Sequence, residues 1–223
     1  MTKQIFIGLF AEGRTDERFL QSVVRKAFNE MAFEAVGDFE FYIEPINIER
    51  SGLSYMEQVL DAAKNGVEKY GITILCLHKD ADEDNDINAF QNAIEPAIQR
   101  LQQSDDTYCK TIVSVVPIQM IEAWLLADKQ LFKNALGTDK PDLELGIEKH
   151  PEAIRNPKDV IADAIRIAQL HRTKRRRMDL TIADIYMPLG EEISIEKLSQ
   201  LSSFNKFRQS VRSAFVSLNY LHK

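Results

Sequence analysis

GITILCLHKDADEDND, residues Gly71 to Asp86, changes character in its middle. Ile72 to Leu77 is a near-continuous apolar, β-branched run, which predicts a strand buried on both faces, as in a parallel sheet. The chain then turns acidic: Asp80, Asp82, Glu83, Asp84 and Asp86 fall within seven positions. A buried strand that delivers acids at its carboxyl end predicts a ligand site of the α/β type. If Lys79 to Asp82 stay extended, Asp80 and Asp82 point the same way, because the side-chain period is two. Continued extension would add Asp84 to the row. Two parallel carboxylates repel, and a hard divalent cation such as Mg²⁺ (or Mn²⁺) is the simplest relief.

Working outward, Gln4 to Phe10 (QIFIGLF) reads as a first buried strand, followed by Ala11-Glu12-Gly13-Arg14-Thr15-Asp16. Gly13 permits a sharp turn, and Thr15 or Asp16 can cap a helix running from about Glu17 to Asn29. Phe39 to Ile48 predicts a second strand, which Pro45 assigns to an edge or a bend. Ser51-Gly52 is a turn, and Tyr55 to Tyr70 is an amphipathic helix. Ile87 to Leu101 predicts a helix with Pro96 as a kink. Lys110 to Val116 is a fourth strand, closed by Pro117, and Ile118 to Asp128 a fourth helix. The alternation implies a doubly wound, mostly parallel four-stranded sheet with right-handed crossovers. In such sheets the first and third strands are often neighbours, which would set Glu12 beside Asp80 and Asp82 at the switch point.

Beyond Lys129 strand signals vanish. Asp159 to Leu170, introduced by Asn156-Pro157, then Ile193 to Leu201 and Phe204 to Tyr220 read as helices. The predicted organisation is an α/β domain over 1–128 and a helical C-terminal extension over 129–223, packed on it. Directly after the predicted helix Asp159 to Leu170, His171 to Arg177 carries Arg172, Lys174, Arg175, Arg176 and Arg177, five basic residues in the six positions from Arg172. Such a run suits backbone phosphates of a nucleic acid. Cations at a helix C-terminus would explain one or two of them. Lys174 could also stabilise developing charge.

The chain has 223 residues, 44% hydrophobic and 28% charged, the composition of an ordinary globular protein. Its formal net charge of -6 gives no global bias toward nucleic acid, although a local basic site remains compatible with it. Two cysteines, Cys76 and Cys109, lie in or beside apolar runs and read as reduced, buried thiols, which fits a cytoplasmic protein. No apolar run approaches the roughly 18 residues of a membrane span. Phosphate loops of the GxxxxGK[ST] kind, a GxGxxG turn and zinc-type Cys/His spacing are absent.

Glu12-Gly13 after the first strand and Asp80-Ala81-Asp82 after the third resemble the Toprim domain of topoisomerases, primases and nucleases of the overcoming-lysogenisation-defect class. The likeness covers about the first 125 residues. More narrowly, EGRTDERFL, HKDAD and PIQMIEAWLLAD together resemble small stand-alone Toprim-like proteins of unassigned function, some encoded beside ATPases in bacterial defence loci. The resemblance implies that Asp80 and Asp82 bind Mg²⁺ and that Glu12 joins them or acts as general acid or base. Glu122, in MIEAWLLAD, is either a further acidic site residue or a structural group at its helix start. His78 precedes the acidic pair, but a carboxylate site does not require it. The expectation is a Mg²⁺-dependent nuclease acting on DNA or RNA, an effector of bacterial (phage) defence with an ATPase. The rival is a non-catalytic regulatory subunit that keeps the Toprim shell and binds such an ATPase.

Overall fold

The computed structural model describes residues 2–170 and 180–222. Four strands, β1 (Lys3–Phe10), β2 (Phe39–Pro45), β3 (Ile74–His78) and β4 (Ile112–Val115), form one parallel sheet in the order β2-β1-β3-β4. The expected α/β class is therefore observed. β1 and β3 are neighbours, with Phe10 opposite Leu77, so the order reverses between them. β2 lies at an edge, as Pro45 implied, and ends at that residue rather than at Ile48.

Strand alternation sorts the core into two layers. Ile5, Ile7, Leu9, Ile74 and Cys76 face one cluster, built with Phe19, Leu20, Val23 and Val24 of α1 (Arg14–Ala32). Phe10, Leu75 and Leu77 face the other, with Val59, Ala62 and Ala63 of α2 (Tyr55–Tyr70). The second layer continues through α3 (Ile87–Ala89), a π turn at Phe90–Ile94 and α4 (Glu95–Gln102). The expected interruption of this helix is thus a π turn just before Pro96, which then occupies the first turn of α4, where its missing N–H costs no bond.

The first layer is completed by late helices. α5 (Ile121–Leu125), α6 (Lys129–Leu136), α7 (Asp142–Leu145), α8 (Pro157–Gln169), α9 (Ile182–Glu192), α10 (Ile195–Leu198) and α11 (Ser202–Ser217) follow the sheet. α5 is shorter than the expected Ile118 to Asp128 because Ile118 to Met120 form a turn. α6, α7 and α9 were not predicted, and Ile193 to Leu201 yields only the single turn of α10. α11 covers the β4 edge, where the Ser114 N–H donates to Ser210 Oγ at 3.0 Å. Among the described residues no helix is long and apolar enough to cross a membrane.

Candidate active site

The carboxyl ends of β1 and β3 bring Glu12 and Asp80 into direct contact. The Asp80 N–H donates to Glu12 Oε2 at 2.9 Å, and Lys79 Nζ donates to Glu12 Oε1 at 2.9 Å. The main chain at this point is pinned from below. Arg50 donates to the carbonyls of Ala11 and Glu12 at 2.6 and 2.5 Å, while its guanidinium lies 4.8 Å from the Phe10 ring centroid. Gly13 is the N-cap of α1, and Asp16 at the third helical position accepts from the Gly13 N–H at 2.8 Å. Helix α1 therefore starts at Arg14, three residues before the predicted start, with Asp16 capping from inside it.

Asp80 is held from behind. Its Oδ1 accepts from the Ile121 N–H at 2.9 Å and lies 3.2 Å from Nε2 of the fully buried His78. The Glu12 N–H donates to His78 Nδ1 at 3.3 Å, so the neutral ring must carry its proton on Nε2 and donate it to Asp80. Asp16 stands 3.9 Å from Nδ1. Burial opposes charging of His78, but Asp80, Asp16 and Glu12 outweigh it and raise its pKa. Burial likewise raises the Asp16 carboxyl, reinforced by Asp80 and opposed by His78. One imidazole thus links the ends of both strands, a role the bare sequence did not signal.

Asp82 departs from the extended expectation. Its φ is 55°, the left-handed region, so Asp80, Asp82 and Asp84 do not form a same-face row. Gln119, directly across, also has a positive φ of 61°. The Asp82 N–H donates to the Gln119 carbonyl at 2.8 Å and the Gln119 N–H to the Glu83 carbonyl at 2.9 Å. Two tight turns locked in this way account for the strain, which asparagine and aspartate tolerate better than other residues do. Burial raises the Asp82 pKa, with Asp80 and Glu12 adding to it and Lys79 opposing. Asp84 is exposed and, among the described residues, accepts only from Asn85. Asp86, the last acid of the run, is buried and paired with Lys206 at 2.6 Å.

Glu122 is buried at the start of α5. Tyr186 of α9 donates to it at 2.5 Å, and Lys158 lies 4.0 Å away. Burial raises its pKa, and the charge of Asp80 adds to the effect, so it borders the site from the protein side. In front of Asp82 a cleft of about 660 Å³ opens. Asp82, Glu83, Asp84, Gln119 and Met120 line it on one side, Ala153, Arg155 and Asn156 on the other.

Among the described residues no three His, Cys, Asp or Glu side chains form a group that could hold a metal ion. Lys79 takes the position on Glu12 that a cation would occupy. The donor set still suits Mg²⁺, because it is all carboxylate oxygen. Mg²⁺ needs only one or two protein carboxylates when water and phosphate complete its shell. Asp80 and Asp82 are the residues that would supply such a pair, with Glu12 hydrogen-bonded to the Asp80 N–H. The run Arg172, Lys174, Arg175, Arg176 and Arg177 lies outside the described residues.

Residues 11–212 match the family described as a domain of unknown function, DUF4276, so the chain belongs to that family. No curated protein and no solved structure matches it.

Proposed function

We propose that this DUF4276 protein is a Toprim-like, Mg²⁺- or Mn²⁺-dependent phosphodiester-cleaving enzyme, a nuclease. The observation that carries the reading is the hydrogen bond of 2.9 Å that joins the Asp80 N–H to Glu12 across the β1–β3 switch point. In this reading Asp80 and Asp82 hold the metal, which would polarise a phosphate oxygen and acidify a bound water. Glu12 orients that water or accepts its proton. His78 and the Ile121 N–H keep Asp80 aimed at the metal, as outer partners do for ligating carboxylates. The run Arg172 to Arg177 steers the nucleic acid by charge. Two buried free thiols fit work in the cytoplasm, with an ATPase partner in bacterial defence.

The Lys79–Glu12 ion pair favours a second reading. A lysine resting where the metal would bind suits a non-catalytic subunit that keeps the shell and regulates an ATPase. One set of assays separates the two. Wild-type protein with Mg²⁺ should cleave single-stranded or structured DNA or RNA, and chelation should stop it. Glu12→Gln should lower turnover by about 10²–10⁴-fold while the protein still binds nucleic acid. Mg²⁺ should raise the melting temperature of wild type by mass action, and Asp80→Asn with Asp82→Asn should remove that shift. Wild-type rates from Glu12→Gln would refute its role. No cleavage on any nucleic acid, with metal and ATPase present, would instead favour the regulatory reading.

A further inference from the structure

We propose that the cleft in front of Asp82 is the seat of a single-stranded nucleic acid, with Arg155 binding the phosphate next to the one that is cleaved. The proposal rests on the nuclease reading and names its substrate class. Three observations carry it. First, the two walls carry opposite charge: Asp82, Glu83 and Asp84 face Arg155, yet Arg155 makes no ion pair or hydrogen bond among the described residues. A gap that keeps opposite charges apart fits an occupant that is cationic toward the acids and anionic toward the arginine. A metal-bound phosphodiester chain has that polarity.

Second, Gln119 lines the same cleft with only 6% of its surface exposed, and its side-chain amide has no hydrogen-bond partner among the described residues. Its amide atoms are not sealed from solvent, so they are open to a ligand that enters the cleft. An amide offers a donor and an acceptor together, which suits a base or sugar edge. Third, the volume of about 660 Å³ lies within the range of pockets that hold small molecules, enough for one or two nucleotides. Asp82 belongs both to the cleft lining and to the proposed metal pair, so a strand seated in the cleft would place a phosphate beside that pair.

The test measures binding separately from cleavage. A fluorescent single-stranded oligonucleotide is titrated with wild type, Arg155→Ala, Gln119→Ala and Arg166→Ala by anisotropy, in Ca²⁺ and over a range of salt. Arg155→Ala should weaken binding roughly tenfold. It should also flatten the log–log salt slope by about 0.7, the value for one phosphate contact on a single strand. Gln119→Ala should weaken binding with the slope unchanged. Arg166→Ala, an exposed charge paired with Asp163 on α8, should change neither. An unaltered slope in Arg155→Ala, or tighter binding of duplex than of single strand, overturns the proposal while leaving the nuclease reading intact. Binding with these signatures but no cleavage by wild type sustains the cleft and sinks the nuclease. Absence of binding by wild type overturns both.

Discussion

Single side chains here are fixed by completeness of hydrogen bonding, and Glu152 is the clearest case. Its buried carboxylate accepts from the N–H and Oγ of Ser202 at 3.0 and 2.8 Å, and from those of Ser203 at 2.8 and 2.6 Å. Ser203 Oγ in turn accepts from Trp124 Nε1 at 2.8 Å. Burial raises the Glu152 pKa, but the four donors outweigh it and hold the group below the ordinary 4.5. A depressed carboxyl pKa stabilises the fold above the unfolded value, and that contribution is lost as the pH falls through the folded value. Glu152→Gln turns one acceptor into a donor facing two donors. It should cost about 2 kcal/mol at pH 7, read from the single tryptophan, Trp124, in urea unfolding. The gap between wild type and variant should close below pH 4.5. A gap that persists in acid would assign the loss to packing.

Among the elements, α9 shows how a helix can be hidden. Its segment IADIYMPLGEE contains Pro188 and Gly190, residues that ordinarily interrupt a helical pattern. The glycine is required by contact: a Cβ at Gly190 would come within 2.7 Å of the Phe19 carbonyl oxygen and 3.0 Å of its Cα. Both are backbone atoms of α1 and cannot rotate away. Where the two helices meet, Lys26 Nζ caps α9 by donating to the carbonyls of Gly190, Glu191 and Ile193 at 3.0, 2.7 and 2.7 Å. Gly190→Ala should push the helices apart at a cost of about 1–3 kcal/mol, lowering the melting temperature by roughly 5 °C. An unchanged melting temperature would show that α9 can slide on α1 freely.

Across the whole molecule, the late helices share one apolar cluster with the sheet. Phe28 and Phe41 pack with Phe215, and Trp124 packs with Phe204 and Phe207. Arg208 to Glu30 and Lys206 to Asp86 add ion pairs between the same regions. A fragment of residues 1–128 would expose this face, including the β4 edge that α11 covers. It should therefore lack a cooperative thermal transition and bind a hydrophobic dye, whereas the full chain melts in one step. A fragment that unfolds cooperatively by circular dichroism would show that the sheet stands alone.

The sequence by itself determined the sheet and the strand ends. Apolar runs closed by acids, at Ile72 to Asp82 and at Ile5 to Glu12, are local patterns, and local periodicity is what strand burial writes into a chain. From them follow the parallel order, the adjacency of β1 and β3 and the meeting of Glu12 with Asp80. Only the tertiary structure decided the rest. His78 read as incidental because its partners, Glu12, Asp16 and Asp80, converge from two strand ends and a helix. Tyr186 meets Glu122, Lys206 meets Asp86 and Arg155 faces Asp82 across 64, 120 and 73 residues of chain, respectively. No local pattern encodes such pairs, because their energies arise from burial and desolvation that exist only once distant segments have packed. The left-handed turn at Asp82 has the same origin: it is set by hydrogen bonds to Gln119 and overrides the extended geometry that the DxD spacing alone suggests.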